Sequence, residues 1–343
     1  MTGPPPAGWA VAPETAGARE IVPGLWRLRL PTGWPGIDHV NAYAIDRAQG
    51  DGIVLVDCGT AGDPSCVAAL EVALEAAGGR TLEDVRLLVA THAHSDHIGT
   101  APVVVARGGA ELWAHPDSTH FTAAFREPER IAAARERRAR REGVPEARLE
   151  AYRTTREEQE GVLDLVTPGR ALRDGDVVDS ALGPWEVLET PGHCPSHVCL
   201  VQRERRLLLA GDLLCAAFVP WLDYGCSPDP VAEALASLDR VEGLGEITHA
   251  LPGHGRPITD VPATIALTRA GFARRLDATR AAVAQGPAGA YAIATRMFGE
   301  EDDIEATGHL TEVLGYLRHL RLRGEVVRDR ADDDDTYIYR GGS

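Results

Sequence analysis

THAHSDHIG, from Thr91 to Gly99, is the stretch that decides the fold of this chain. It sets His92, His94, Asp96 and His97 within six residues, directly after VRLLVA (Val85 to Ala90). That preceding run is short, apolar and partly β-branched, the pattern of a buried strand. Packing gives no reason to end a buried strand in imidazoles and a carboxylate, whereas zinc and other first-row divalent metals are bound by those groups. His92 and His94 are two apart and point the same way from an extended segment. Asp96 and His97 continue toward the turn, so one loop can serve two adjacent metal positions.

Four further signals repeat the arrangement of an apolar run closing on a Gly-rich turn. IVLVDCG places Asp57 at a strand end, and RLLLAGD does the same for Asp212. WEVLETPGHCPSH puts His193 in a tight turn with His197 four residues on, and THALPGHG puts His254 between two glycines. Glycine lets the backbone carry these side chains to a shared centre without a Cβ clash.

In these residues the chain resembles the metallo-β-lactamase superfamily of hydrolases, over roughly Glu20 to Thr259. Asp57, the H-x-H-x-D-H run, His193, Asp212 and His254 occur in the family's order. The resemblance implies an α/β fold, an αββα sandwich. It implies that His92, His94 and His193 bind a first metal, that Asp96, His97 and His254 bind a second, and that Asp212 bridges them. The implied cofactor is a pair of zinc ions, with iron or manganese as alternatives. Asp57 is then not a ligand but orients the metal-site loop by hydrogen bonds. His197 either supports the His193 loop or reaches toward substrate. His115, His120, His249, His309 and His319 lie outside the pattern and read as hydrogen-bonded structural histidines.

The bulk numbers bound the rest. A length of 343 residues suggests about two domains, and 44% hydrophobic with 25% charged residues is an ordinary globular composition. No apolar run is long enough for a membrane span. The first 19 residues lack a basic and then apolar leader pattern and read as a loose N-terminal arm, so the expected location is the cytoplasm. Cys58, Cys66, Cys194, Cys199, Cys215 and Cys226 form no C-x-x-C pair and read as reduced thiols. A net charge of −16 does not steer the chain toward polyanions. In the basic stretch Arg130 to Glu160, arginines interleave with glutamates as on a solvated helical face.

The expected organisation is a catalytic domain over residues 20–263 and a smaller one over 264–343. Gly24 to Arg47 reads as opening strands around a Pro/Gly turn; the resemblance leans this turn over the metal site and makes Trp34 and His39 candidate substrate residues. Residues 115–168 turn helical and charged, a helical insertion that caps the cleft. FVPWLDYGC follows Asp212 and offers Trp221, Asp223 and Tyr224 to the cleft rim. The last segment reads as three helices and a hairpin, similar to a winged-helix module. Asp332 to Asp335 at its tip would repel phosphates, so the module reads as structural, as a dimer surface or as a cleft wall.

The implied activity is metal-dependent hydrolysis. Asp96 and Asp212 belong to the catalytic centre, and a zinc-bridged hydroxide attacks an acyl carbonyl without a covalent acyl-enzyme. A small or medium thioester, ester or lactone is the expected substrate, with a ribonuclease or phosphodiesterase and a mononuclear iron dioxygenase of sulfur substrates as alternatives. The expected partner is that small acyl molecule, with no nucleic acid and no membrane; a homodimer is the candidate assembly.

Overall fold

A computed structural model of the chain describes residues 12–34, 37–60, 64–150, 164–216, 218–299, 304–331 and 335–342, with backbone alone at 34, 64 and 304–308. Two β-sheets face each other. The first runs in the order β1 (Gly17–Val22), β2 (Leu25–Trp34), β3 (Ile37–Asp46), β4 (Ile53–Val56), β5 (Val85–Val89), β6 (Glu111–Ala114) and β7 (Arg170–Ala171). Strands β1 to β4 pair antiparallel, and β4 to β7 pair parallel. The second runs β12 (His249–Pro252), β11 (Leu207–Gly211), β10 (Val198–Gln202), β9 (Trp185–Glu189) and β8 (Val177–Val178), with only β11 and β12 parallel.

The period of two along each strand divides the core into three layers. In β4, Val54 and Val56 turn inward to the sheet–sheet layer, while Ile53 and Leu55 turn outward to the helices. In β11, Leu207 and Leu209 turn inward, while Leu208 and Ala210 turn outward. Both faces of these strands are buried, which is why they read as continuous apolar runs. Outside the first sheet lie α1 (Pro64–Ala76), whose Leu70, Ala73 and Leu74 pack inward, and α3 (Ala101–Gly108), stopped by Gly109 in the left-handed region. Between them, α2 (Ser95–Ile98) carries the metal-type run of the sequence.

Outside the second sheet lie α6 (Pro230–Glu242), α7 (Val261–Ala284), α8 (Ala290–Phe298) and α9 (Ile304–Leu322), followed by a hairpin of β13 (Val326–Arg330) and β14 (Tyr337–Gly341). The stripe Val313, Leu314, Leu317 and Leu320 is buried as its spacing requires. These residues share one apolar cluster with Cys199, Val201, Leu208 and Ala210, so the C-terminal segment forms the outer layer of the second sheet. The expected division near residue 264 falls in the first turn of α7. There the Asp260 side chain accepts from Ala263 N at 3.0 Å and starts the helix at Val261. Asp332 to Asp334 lie outside the described residues. No described helix is long and apolar enough to cross a membrane.

The insertion begins as two helices, α4 (Thr119–Arg126) and α5 (Pro128–Arg141), while residues 151–163 lie outside the description. The end of α5 is fastened to the C-terminal segment by Glu142, whose buried carboxylate accepts from Tyr339 Oη at 3.0 Å and whose carbonyl accepts from Tyr291 N at 3.0 Å. Burial pushes the Glu142 carboxyl above its ordinary value. A carboxyl with a raised folded-state pKa costs no stability at acid pH, and the cost grows as pH rises toward and through that value. Glu142→Gln keeps an acceptor for Tyr339 and removes the buried charge. The variant is expected to melt above the parent at pH 7 and level with it at pH 4. A lower melting temperature at both would contradict the assignment.

Candidate metal centre

Five strand ends deliver the site. Asp57 follows β4, His92 follows β5, His193 follows β9, Asp212 follows β11 and His254 follows β12. All these side chains are buried or nearly so. Asp57 has a positive φ of 59°, which Asp tolerates better than most residues. Its Oδ1 accepts from Thr91 N and its Oδ2 from Thr91 Oγ1, both at 2.8 Å, and Oδ2 also lies 2.8 Å from His97 Nδ1. Gly253 is required by proximity: a Cβ there would overlap Asp212 Oδ1 and His97 Cε1.

The donor atoms converge in two halves. His193 Nε2 lies 3.3 Å from His92 Nε2 and 2.9 Å from His94 Nδ1. Asp96 Oδ2 lies 3.2 Å from His254 Nε2 and 3.5 Å from His97 Nε2. Asp212 Oδ2 stands between the halves, 3.4 Å from His254, 3.5 Å from His97, 3.6 Å from His193 and 4.0 Å from His92. Metal–nitrogen bonds of about 2.0–2.1 Å put tetrahedral ligand atoms roughly 3.4 Å apart, which is the spacing seen. His97 Nε2 and Asp212 Oδ1 are buried without a hydrogen-bond partner, a costly state that a metal-binding role for this cluster would explain. The groups His92–His94–His193, Asp96–His97–His254 and His92–His97–Asp212 each bring their donor atoms within 4.8 Å and could hold a metal ion.

The far nitrogen of each imidazole is anchored, which orients the ring and selects its tautomer. His193 Nδ1 donates to the Trp221 carbonyl at 2.6 Å, and His254 Nδ1 to the His39 carbonyl at 2.9 Å. His92 Nδ1 sits 3.0 Å from Thr91 Oγ1, and His94 Nε2 sits 3.0 Å from Asp223 Oδ2. Burial, with neighbouring imidazoles, lowers His92 well below its ordinary value, and burial lowers His193 to about 4. Those rings are neutral at pH 7, the form in which a nitrogen can bind a metal. Burial also pulls on His254, but the Asp212 and Asp96 carboxylates outweigh it and raise it to about 12.

His197 does not point into the cluster. Its Nε2 accepts from Asp212 N at 2.9 Å and its Nδ1 faces Thr190, so it supports the loop that carries Asp212. His39 serves His254 through its backbone, while its side chain pairs with Asp38 at 2.7 Å. The side chain of Trp34 lies outside the described residues. Trp221 is 37% exposed, with its ring 6.2 Å from that of His94. Tyr224 stacks under Arg138, 5.7 Å from its ring centre. Trp221, Asp223 and Tyr224 line a cavity of about 710 Å³ under the capping helices, whose other walls include Ile131, Leu149, Leu310 and Leu314.

Two neighbours of the site escaped the sequence reading. Phe218 is 45% exposed and 6.0 Å from His254 between ring centres. His120, read as structural, pairs with Asp223 at 3.2 Å beside His94. Neither carries a local signal, because each partner comes from a distant loop. His115, His249, His309 and His319 contact Glu189, Thr248, Phe298 and Asp229, respectively.

Comparison with known proteins agrees with this geometry. The probable metallo-hydrolase YqjP of Bacillus subtilis is 27% identical over 316 residues, 88% of this chain and 93% of that protein. A metallo-beta-lactamase family protein from Thermus thermophilus superposes with a TM-score of 0.81 at 31% identity, covering 94% of this chain and 100% of the other. The acyl-coenzyme A thioesterase MBLAC2 of Gallus gallus is 28% identical over 222 residues, 63% of this chain and 73% of that protein. The family model of the metallo-beta-lactamase superfamily matches residues 35–254, the span that holds all the convergent side chains. With that match and the fold agreement, the chain belongs to the metallo-beta-lactamase superfamily and is a hydrolase whose fold implies divalent metal ions.

Proposed function

We propose that this hydrolase cleaves small or medium acyl thioesters or esters at a two-zinc centre. His92, His94 and His193 would hold one ion, Asp96, His97 and His254 the other, and Asp212 both. Bound there, such a pair supplies an activated water and a Lewis acid for the acyl carbonyl. Asp57 holds the Thr91 loop and the His97 ring, so those donors arrive already oriented. Burial pushes the Cys58 thiol up to about 12 and the Cys194 thiol well above its ordinary value. Neither is a thiolate at neutral pH, which favours direct hydrolysis over a covalent acyl-enzyme.

The observation that carries the acyl reading is the cavity. It abuts the centre through Trp221 and Asp223, and Ile131, Leu149, Leu310 and Leu314 give it walls for an apolar chain. Arg135 and Arg138 also line it, beside Asp117 and Glu136, so polar groups of both signs flank the apolar walls. The similarity to a protein named as an acyl-coenzyme A thioesterase supports the same class.

The test is turnover of acyl-coenzyme A thioesters of several chain lengths, an aryl ester, a lactone and a phosphodiester. Chelator-sensitive cleavage of a thioester or ester, restored by zinc, is the expected result. Cleavage of the phosphodiester alone would replace this reading with the phosphodiesterase.

A further inference from the structure

An imidazole of the capping helices reaches the centre. His120 stands in the first turn of α4, and its side chain is 2% exposed. Its Nδ1 lies 3.2 Å from Asp223 Oδ2, and the same oxygen lies 3.0 Å from His94 Nε2. On the other side, His120 Nε2 lies 2.9 Å from Ser196 Oγ, which accepts from Ala93 N at 3.1 Å. Asp223 is further fixed by its backbone, whose N donates to the His193 carbonyl at 2.8 Å.

His94 needs such a partner on the opposite nitrogen from its neighbours. His92 and His193 turn Nε2 toward the cluster, whereas His94 turns Nδ1 toward it. A free lone pair on Nδ1 requires the hydrogen on Nε2, and that hydrogen requires an acceptor. Asp223 Oδ2 is that acceptor. A carboxylate with only 15% of its side chain exposed is itself costly unless it has donors, and the N–H of His120 Nδ1 is the second one. The remaining protons then fall into place, because the Ser196 hydroxyl donates to His120 Nε2 while its oxygen receives the Ala93 N–H. Each hydrogen bond in the row has one donor and one acceptor.

We propose that Asp223 and His120 are positioning residues for the first metal half: Asp223 holds His94 in the tautomer that offers Nδ1, and His120, borne on the cap, holds Asp223. This rests on the two-metal reading above. It ties the insertion to the metal loop, so the cap is part of the centre's framework as well as a roof over the cavity.

The experiment uses the full chain, stripped of metal, with Asp223→Ala, His120→Ala and His120→Asn. Zinc affinities are measured by competition with a chromophoric chelator, cobalt loading is followed by visible absorption, and melting curves report folding. Loss of a partner to a ligand histidine typically weakens metal binding by about 10–100-fold. Asp223→Ala is therefore expected to weaken one of two zinc equivalents by that order and to alter the cobalt bands of that equivalent alone. His120→Ala should weaken the same equivalent less. His120→Asn, whose amide N–H can replace Nδ1–H, should recover most of it. Folded Asp223→Ala and His120→Ala proteins with two parental zinc affinities and an unchanged cobalt spectrum would overturn the proposal. Should Asp223→Ala fail to fold, the His120 pair decides alone: no difference between alanine, asparagine and parent overturns it. A parent that takes up no metal at all would overturn the two-metal reading along with it.

Discussion

Asp212→Ala is expected to lower turnover by at least about 10³-fold, the equivalent of roughly 4 kcal/mol of transition-state stabilisation. The size follows from position. Asp212 Oδ2 approaches four imidazoles, two from each half, and no other carboxylate among the described residues does so. On the two-metal reading, removing it would unlink the two positions, and it leaves clustered imidazoles with less compensating charge. The strand that presents it is held elsewhere, by Leu207 and Leu209 in the inner layer and Leu208 in the outer one. Most of the fold should therefore survive. Steady-state kinetics, metal content and circular dichroism on the same preparation make the check. A folded variant with parental turnover would sink the bridging role.

The largest effect on stability is expected at Trp185. Its side chain is wholly buried in the layer between the sheets, among Val187, Val198 and Leu200, and its Nε1 donates to Ser180 Oγ at 3.1 Å. Truncating a buried tryptophan leaves a cavity that the two sheets can only partly close, at a cost of about 3–5 kcal/mol. The Ser180 hydroxyl also loses a donor. Trp185→Ala should lower the unfolding free energy from denaturant titration by that amount; of the five strand ends that deliver the His/Asp cluster, only the one carrying His193 belongs to the same strand as Trp185. A change below about 1 kcal/mol would mean that the inner layer repacks far more freely than interiors of ordinary density do.

What was legible in the sequence was whatever depends on neighbours along the chain. The run after Val85 announced a strand ending in donors, and β5 does end at Val89 with His92 just beyond it. Asp57, His193, Asp212 and His254 were legible for the same reason, since each closes an apolar run at a Gly-rich turn. Contacts between loops were not. Asp223 and His94 are separated by 129 positions, and nothing in WLDYG or THAHS says that they meet. His120 looked like one more polar residue on a charged helix because its partners come from two other loops. The start of α9 was also hidden: its apolar stripe is clear from Leu310 onward, yet the helix begins at Ile304. Finally, periodicity showed that Val313, Leu314, Leu317 and Leu320 must pack, but not against what. Their partner is the outer face of the second sheet, so a segment that reads as a separate module by composition shares that sheet's core.

The most direct test of the centre is the metal content of the purified chain, measured by mass spectrometry of the elements after zinc loading and removal of excess. Two zinc ions per chain, both lost together with thioester turnover on chelation, are the expected result. A single iron with no hydrolysis, or no bound metal and undiminished turnover, would contradict it.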